Sequence, residues 1–278
     1  MPLALPPNTA DYSDRSPATS NRQIVLLLGF VIGLVLVIFT SVEVMAGVLA
    51  GMVPYSVEQQ LGALMVPVFE QMAEPSETQD QLNALLDQLE SQLPERDRDY
   101  ELLYVPDATV NAMALPGHHI VLYQGLLAEV ESENELMMVL GHELGHFAHR
   151  DHMRQLGRGL LMQIVWSSLL GDMGGLQSVA ASGVSALSDA RYSQRQEYQA
   201  DEFGLKLLQK TYGQAAGATD FFRRMSQKPE AQLQSWDFLA THPGSAQRVK
   251  QLERQIAARS YPIGQKTPLS PELKVIRP

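Results

Sequence analysis

The sequence predicts a mostly helical α+β domain with a small β-sheet, preceded by one N-terminal transmembrane helix. An uncharged run from Ile24 to Thr40, extended by Ser41 and Val42, is long enough to cross a bilayer core. Helix-type patterns fill most of residues 55–260, whereas strand-type runs bounded by turn residues are confined to residues 100–123. With 278 residues and 45% hydrophobic composition, the chain can form one globular domain plus an anchor.

The N-terminal region divides into two predicted segments. Residues 1–22 are rich in Pro, Ser, Thr and Asp and are predicted to be disordered. Residues 23–53 are predicted to be the transmembrane anchor with its extension. A cleaved signal peptide is the alternative, and small residues at Ala46 and Ala50 would suit a cleavage site. The long apolar run and long leader favour an uncleaved anchor.

Charges around this run predict its orientation. Arg15 and Arg22 precede it, and no Lys or Arg follows until Arg96. The positive-inside rule therefore places the N-terminus in the cytoplasm and the following domain on the other side, with the bilayer contacting residues 24–42. Gly29 and Gly33 form a GxxxG pattern, which can serve as a homodimer face between membrane helices.

The elements of the domain follow in order. Residues 55–72 resemble a short amphipathic helix at the membrane exit, and a leucine stripe over 77–93 predicts a core-facing helix. Ile120–Tyr123 is predicted to be an edge strand, to which an extended peptide could add. Further helices are expected at 124–151 (broken near Ser132), in a hairpin over 159–170 and 176–187, and at 191–211, 215–227 and 244–258. The domain is predicted to end at 260, and the proline-containing tail over 261–278 to be loose.

The predicted helix over 124–151 contains the sequence His142-Glu143-Leu144-Gly145-His146. Residues four apart share a face of a helix, so both imidazoles can bind one ion. Glu143 can then reach a water on that ion. HExxH in a helix is the arrangement of zinc hydrolases, with two nitrogen ligands and a carboxylate base.

A catalytic zinc usually takes three protein ligands, and two residues compete for the third place. His152 stands where one protease class has its third His, but that pattern needs a turning Gly where this chain has His149. Glu197 is favoured instead, because Glu197 and Asp201 share a helix face and the small Ala200 would allow close helix packing. Asp201 would then orient a ligand His.

Composition excludes several classes of protein. The chain has no cysteine, so neither a disulfide scaffold nor a thiolate zinc site can form. The net charge of -10 argues against nucleic acid as a partner, since phosphate contacts dominate such binding. It also argues against docking on anionic lipid through a basic patch.

Four blocks in this order resemble the gluzincin metalloproteases of the CAAX prenyl endopeptidase and HtpX type: Asn111–Ile120, the HELGH sequence, EYQAD at 197–201, and Thr241-His242-Pro243 followed by Arg248. They span about residues 55–255. One departure is His118, where the family often has Gly. The resemblance implies a helical zincin fold of the mini-gluzincin kind, with one zinc ion per chain.

Carried over residue by residue, the resemblance implies a role for each candidate. His142, His146 and Glu197 would bind zinc, and Asp201 would hold the first His in its tautomer. Glu143 would act as general base, and His242, with Arg248 near it, would stabilise the oxyanion. Asn111 and Arg248 would also help to bind substrate. The eight candidate site residues are therefore His142, Glu143, His146, Glu197, Asp201, His242, Asn111 and Arg248.

The resemblance implies a membrane-anchored zinc endopeptidase that acts on protein or peptide substrates in quality control, in the cell inner membrane with a periplasmic catalytic domain. The alternative is a chaperone-like binding or assembly factor that retains the fold but cleaves little. Intact Glu143, Glu197 and His242 weigh against that alternative. Prenyl-protein processing in the family goes with a multi-span membrane chamber, which one predicted span cannot build.

Overall fold

The computed structural model describes residues 20–73, 75–93, 99–170, 179–188, 191–227 and 237–274. Nearly all of the N-terminal segment predicted to be disordered therefore lies outside the described residues, as do the last four residues of the chain. The chain forms two compact units, Met1–Val44 and Met45–Pro278.

The first element is the helix α1 (Asn21–Met52). Within the described residues it is the one helix that is long and apolar enough to cross a membrane, and the apolar side chains of that stretch are exposed. At 1.5 Å per residue it is about 48 Å long, so it exceeds the roughly 30 Å of a bilayer core. The predicted N-terminal apolar helix is confirmed.

The second unit combines helices with one small sheet. Its elements in order are α2 (Tyr55–Glu70), α3 (Glu77–Glu90), β1 (Glu101–Val105), β2 (Ala112–Leu115), β3 (His119–Tyr123), α4 (Gln124–Glu129), α5 (Glu133–Ala148), α6 (Asp151–Leu170), α7 (Val179–Ser188), α8 (Gln194–Tyr212), α9 (Asp220–Gln227), α10 (Asp237–Thr241) and α11 (Ser245–Ala258), followed by a short 3-10 helix (Pro271–Leu273). The predicted fold class is confirmed, including the break near Ser132 between α4 and α5.

The sheet has the strand order β1-β3-β2, with β1 parallel and β2 antiparallel to β3. The prediction that residues 120–123 form an edge strand was wrong, because β3 pairs on both sides and β2 is an edge. Gly117 and His118 join β2 to β3 with φ angles of 83° and 71°. Two central residues with positive φ are the mark of a tight hairpin turn, which explains why glycine would be the easier residue at 118.

The core forms around the contact between α5 and α8. A side-chain carbon added at Gly145 would lie 2.7 Å from Ala200 Cα, and one at Gly141 would lie 3.0 Å from Gly204 Cα. The two helix backbones therefore touch without intervening side chains. Around them the predicted leucine stripe of α3 is buried at Leu82, Leu86 and Leu89.

The C-terminal tail departs from the prediction. Residues 261–274 are docked on the domain, with Leu273 only 1% exposed in the core. The backbone of Thr267 accepts a hydrogen bond from Glu133 N and donates one to Asn134 Oδ1, at 3.0 and 2.7 Å. Prolines stop this segment from forming a helix, but they do not prevent it from packing.

We expect Gly204→Ala to destabilise the domain. The added carbon would meet His142 N at 2.8 Å and Gly141 C at 3.0 Å, so α5 and α8 must separate. Overpacking of this kind costs about 1–3 kcal/mol, more than the roughly 1 kcal/mol that alanine gains over glycine in a helix. The measurement is the thermal unfolding midpoint of the purified chain. Gly157→Ala in α6 is the matched control, because its nearest neighbour is Ala46 Cβ at 3.8 Å. An unfolding midpoint as high for Gly204→Ala as for this control would contradict the close-packing argument.

A second prediction concerns Glu90, the last residue of α3. Burial and the charges of Asp87 and Asp99 raise the pKa of Glu90 to about 7. A hydrogen bond from Tyr100 N to the Glu90 carboxylate opposes this shift but does not cancel it. The folded state then binds the proton more tightly than the unfolded state, so this group lowers stability as pH rises from about 4.5 to 7. Glu90→Gln should therefore raise the unfolding midpoint more at pH 8 than at pH 5. An equal gain at both values would show that Glu90 is not protonated in the folded state.

Candidate metal and active site

The metal-binding helix is α5. It begins after Ser132, whose hydroxyl accepts a hydrogen bond from Glu135 N and caps the helix. One helical turn separates His142 from His146, so both rings lie on the same face and their Nε2 atoms are 3.1 Å apart. The predicted pairing of the two imidazoles is therefore present in the structure.

Helix α8 brings Glu197 to the same point. A capping box between Ser193 and Gln196 fixes the start of this helix, with Glu197 in its first turn. The Glu197 carboxylate oxygens lie 3.7 Å from His142 Nε2 and 3.6 Å from His146 Nε2.

His242 contributes a fourth donor atom, which the sequence analysis did not anticipate. Its Nδ1 lies 3.2 Å from His142 Nε2 and 3.1 Å from Glu197 Oε1. The Phe238 ring stacks on the imidazole at 4.3 Å, and the backbone of Phe238 is tied to Val110 O at 3.0 Å. Helix α10 thus holds His242 over the face that carries the other donors.

These four buried donors fit one zinc ion. A tetrahedral ion with bonds of about 2.0–2.1 Å holds its ligand atoms about 3.3–3.4 Å apart. The donor pairs given above lie 3.1 to 3.7 Å apart, and Glu197 Oε2 has no hydrogen-bond partner among the described residues. Two imidazoles and a carboxylate are a typical zinc ligand set. The cluster is therefore consistent with one zinc ion per chain.

The excess of buried negative charge around the cluster also favours a bound cation. Four buried carboxylates, those of Glu143, Asp151, Glu197 and Asp201, are accompanied by one buried guanidinium, that of Arg248. Uncompensated buried charge is strongly unfavourable, so a divalent ion stabilises this arrangement.

Burial and the neighbouring charges also shift the pKa values of the two histidines. Burial and the charge of Arg248 lower the pKa of His142 to about 4, which keeps it neutral and able to bind a metal. Burial would also lower the pKa of His146, but hydrogen bonds to Asp151 and Glu197 and the charges of nearby carboxylates outweigh it and raise the pKa to about 9. The carboxylates around His146 thus favour a positive charge at this point of the site.

Asp201 contacts the first histidine. Its Oδ1 lies 3.0 Å from His142 Nδ1, a separation at which the ring N–H donates and leaves Nε2 free for a metal. Burial alone would raise the pKa of Asp201, but the charge of Arg248 and hydrogen bonds from Arg248 and His142 lower it below its usual range.

Arg248 takes a position different from the one predicted. It is 1% exposed and donates to both oxygens of Asp201, from Nε at 2.9 Å and Nη2 at 2.7 Å. Its Nη1 lies 2.6 Å from Glu197 Oε2, close enough for an ion pair although not aligned as a hydrogen bond. The structure thus places Arg248 against the ligand residues, which favours a positioning role over the predicted contacts with substrate and oxyanion.

Asp151 was missed in the sequence analysis. Its Oδ2 lies 3.0 Å from His146 Nδ1, so the second histidine is held as the first is by Asp201. Gln196 donates to the other oxygen at 2.8 Å. The chain reaches this position because α5 ends at Ala148 and Arg150 takes a φ of 56°, which reverses the backbone within two residues. The only signal in the sequence was an acidic residue just past the end of the helix.

Glu143 is the remaining residue of the motif. Neither of its buried carboxylate oxygens has a hydrogen-bond partner among the described residues, and the nearest ring nitrogen of His242 is 3.7 Å away. A buried carboxylate without partners is costly, and such groups occur where chemistry requires them.

The two other candidates are not part of the donor cluster. Asn111 is buried at the start of β2, where its Oδ1 accepts a hydrogen bond from Ala112 N at 2.9 Å. His152, the alternative third ligand, is outside the donor cluster, since its Nε2 lies 2.8 Å from Glu58 Oε1 on α2.

The site is closed to solvent. Each of the four donor residues is at most 1% exposed. The edge strand β2 is also buried along its whole length, and α7 contacts it. Access for a polypeptide therefore requires movement of the elements that cover β2.

Comparison with known proteins relates this site to a family. Peptidase family M48 matches residues 73–256, a range that contains all eight residues proposed from the sequence. "Metalloprotease LoiP" of Escherichia coli (strain K12) is 31% identical over 153 residues, which are 54% of this chain and 60% of that protein.

Two further relatives are more distant. A "Putative beta-barrel assembly-enhancing protease" of Vibrio cholerae is 26% identical over 65% of this chain and 40% of that protein. "Mitochondrial metalloendopeptidase OMA1" of Schizosaccharomyces pombe is 26% identical over 56% of this chain and 47% of that protein. The matches thus span 40–60% of the length of these three relatives. Because the family match covers most of the chain and includes the whole metal cluster, this chain belongs to peptidase family M48.

Proposed function

We propose that the chain is a membrane-anchored, zinc-dependent endopeptidase that hydrolyses peptide bonds of protein substrates. One observation carries this proposal: a buried cluster of zinc-type donors lies beside the Glu143 carboxylate, which has no hydrogen-bond partner among the described residues. A purely structural metal site would have no use for that carboxylate. Family membership and relatives named as metalloproteases and metalloendopeptidases support the same activity.

The proposed chemistry assigns a task to each residue. His142, His146 and Glu197 hold zinc, which when bound lowers the pKa of a water molecule to about 7 and polarises a carbonyl. Glu143 takes the proton from the attacking water and passes it to the leaving amine. Asp201 and Asp151 keep the two histidines in the tautomer that binds metal.

His242 is proposed to have two positions. In the structure it completes a set of four donors, whereas a catalytic site must keep one position open. We propose that His242 withdraws from the donor set when substrate enters and then donates a hydrogen bond to the oxyanion. His242 directly follows the short helix α10, so a movement of this helix would carry His242 with it.

The substrate is proposed to bind along β2. This strand pairs with β3 on one side only, so its other edge can hydrogen-bond an extended peptide once it is uncovered. Asn111 lies at the start of this strand and would help to hold the substrate backbone. Uncovering the strand requires α7 to move away from it.

We further propose a single-pass protein of the inner membrane with residues 24–42 in the bilayer and the catalytic domain in the periplasm. The apolar helix α1 and the arginines on its N-terminal side support this orientation. A side-chain carbon added at Gly29 or Gly33 would meet no described atom within 4 Å outside the adjacent residues and backbone of α1 itself, which leaves room for a homodimer through α1. The motif blocks favour the HtpX-like type within the family.

Protein quality control is the proposed role, supported by a relative named "Putative beta-barrel assembly-enhancing protease". The alternative remains a chaperone-like assembly factor that keeps the fold. The intact donor set and Glu143 favour the protease.

The first test compares the full chain with its Glu143→Gln variant. Both should bind about one zinc per chain, because Glu143 is not among the donors. The variant should cleave an unfolded protein substrate at least about 100-fold more slowly, since general acid–base groups contribute about 10²–10⁴-fold. Equal cleavage by both proteins would exclude Glu143 as the base. Zinc binding without cleavage by either would favour the assembly factor, and absence of zinc from both would refute the metal site.

A second test addresses Asp151. Asp151→Asn places an amide against His146 Nδ1 and favours the wrong tautomer, so zinc affinity should fall about 10–100-fold. The readouts are zinc affinity by competition with a chelator, and activity restored by added zinc. Arg154→Gln is the control, because Arg154 contacts the same carboxylate at 3.1 Å from a partly exposed position and should change zinc affinity little. Unchanged affinity in Asp151→Asn would show that the carboxylate does not orient His146.

A further inference from the structure

Helix α2 presents an apolar stripe to the outside of the domain. Val57, Leu64 and Val68 recur at helical spacing and are each at least 39% exposed, and the exposed Met72 follows just after the helix ends. The two acidic residues of this helix do not interrupt the stripe, because Glu58 is buried and Glu70 lies at the C-terminal end. Single exposed apolar residues are common, but a continuous stripe along one helix indicates a contact surface.

The opposite face of α2 is fixed to the domain. Met65, Val66 and Phe69 are buried against the sheet, and Gly62 is packed so closely that an added carbon would lie 2.3 Å from Pro116 O. The stripe is therefore a rigid feature, and it cannot turn inwards to hide its apolar side chains.

The far end of α6 extends this apolar surface. Ile164 is 59% and Trp166 is 53% exposed, and no charged residue occurs between Gly159 and Leu170. Helix α7, which also lacks charged residues, joins the two. A side-chain carbon added at Gly183 of α7 would lie 3.2 Å from Met65 Sδ of α2 and 3.2 Å from the side chain of Leu156 of α6. One added at Gly159 of α6 would lie 2.3 Å from Ala186 Cβ of α7. Thus α2, α7 and α6 form one layer.

The chemistry of this layer fits a lipid bilayer better than a protein partner. Only Val53 and Pro54 separate α2 from the end of the apolar helix α1, so α2 directly follows the anchor helix in the chain. Trp is enriched at membrane–water interfaces, where Trp166 would lie. The stripe has no Lys or Arg, so apolar insertion, and not attraction to anionic headgroups, would drive the contact.

We infer that α2 and the far end of α6 form a docking surface that lies on the bilayer, in addition to the anchor. This inference rests on the membrane anchoring given under the proposed function. It would hold the catalytic domain against the membrane surface and direct its activity to polypeptides in or next to that membrane.

The absence of native cysteine allows a direct test on the full chain. Single cysteines at Leu64 and Ile164 would carry a nitroxide label after reconstitution into phosphatidylcholine vesicles. Labels at Lys250, an exposed position on α11, and at Val35 in α1 provide water and lipid controls. Electron paramagnetic resonance then measures how often each nitroxide label collides with oxygen, which is enriched in lipid, and with a nickel chelate, which is confined to water. The ratio of the two collision rates shows whether the label is in lipid or in water.

We expect the labels at Leu64 and Ile164 to favour oxygen and to lie about 5–10 Å inside the interface, whereas the label at Lys250 favours the chelate. A water-like label at either test position, with a lipid-like label at Val35, would overturn the docking surface and leave the anchor intact. A water-like label at Val35 would instead overturn the anchor, and the inference with it.

An unlabelled variant guards against insertion caused by the label itself. Trp236→Phe leaves Trp166 as the single tryptophan of the chain. Brominated lipid in the vesicles should quench its emission, whereas vesicles of the same composition without bromine should not. Lack of quenching by brominated lipid would overturn the docking of α6.

Discussion

The site depends on the direct backbone contact between α5 and α8. Gly141 and Gly145 on one helix meet Gly204 and Ala200 on the other, with no side chain between them. Larger residues at these positions would push α8, and Glu197 with it, away from the two histidines. The same glycines weaken each helix taken alone, so the close approach is retained at a cost in intrinsic helix propensity. The requirement for a short distance between ligands explains why that cost is tolerated.

Around this contact, each ligand is held by a partner of its own. Asp201 holds His142, Asp151 holds His146, and Arg248 lies beside both Glu197 and Asp201. The result is a set of donors with little rotational freedom in a region that water does not reach. Such a site can bind a cation tightly, and it strengthens every electrostatic interaction that forms within it.

Much of the site could be predicted because its residues lie at helical spacing. The pairs His142/His146 and Glu197/Asp201 reveal their shared faces directly in the sequence. The role of Asp151 could not be predicted, because it depends on a reversal at Arg150 that requires a positive φ from a residue that rarely adopts one. His242 was placed near the site by resemblance alone, and its distance to the other donors is a tertiary property.

In the fold as well, features set by local sequence could be predicted, whereas features set by contacts between distant segments could not. Helix positions and the apolar N-terminal helix followed from periodicity, whereas the strand order did not. β3 was taken for an edge strand because its alternation does not reveal whether one or two neighbours pair with it. The tail over 261–278 was predicted to be loose from its prolines, although Leu269 and Leu273 gave it apolar groups to bury.

The complete burial of the donor cluster has a consequence for how the protein is made. A zinc ion cannot reach donors that are at most 1% exposed unless the domain is still open. Metal must therefore enter while the chain is folding or during an opening event, and it then becomes part of the folded core. The amount of active protein in a cell would thus depend on the zinc supply at the moment of synthesis, and a chain that closes empty would remain inactive until it opens again.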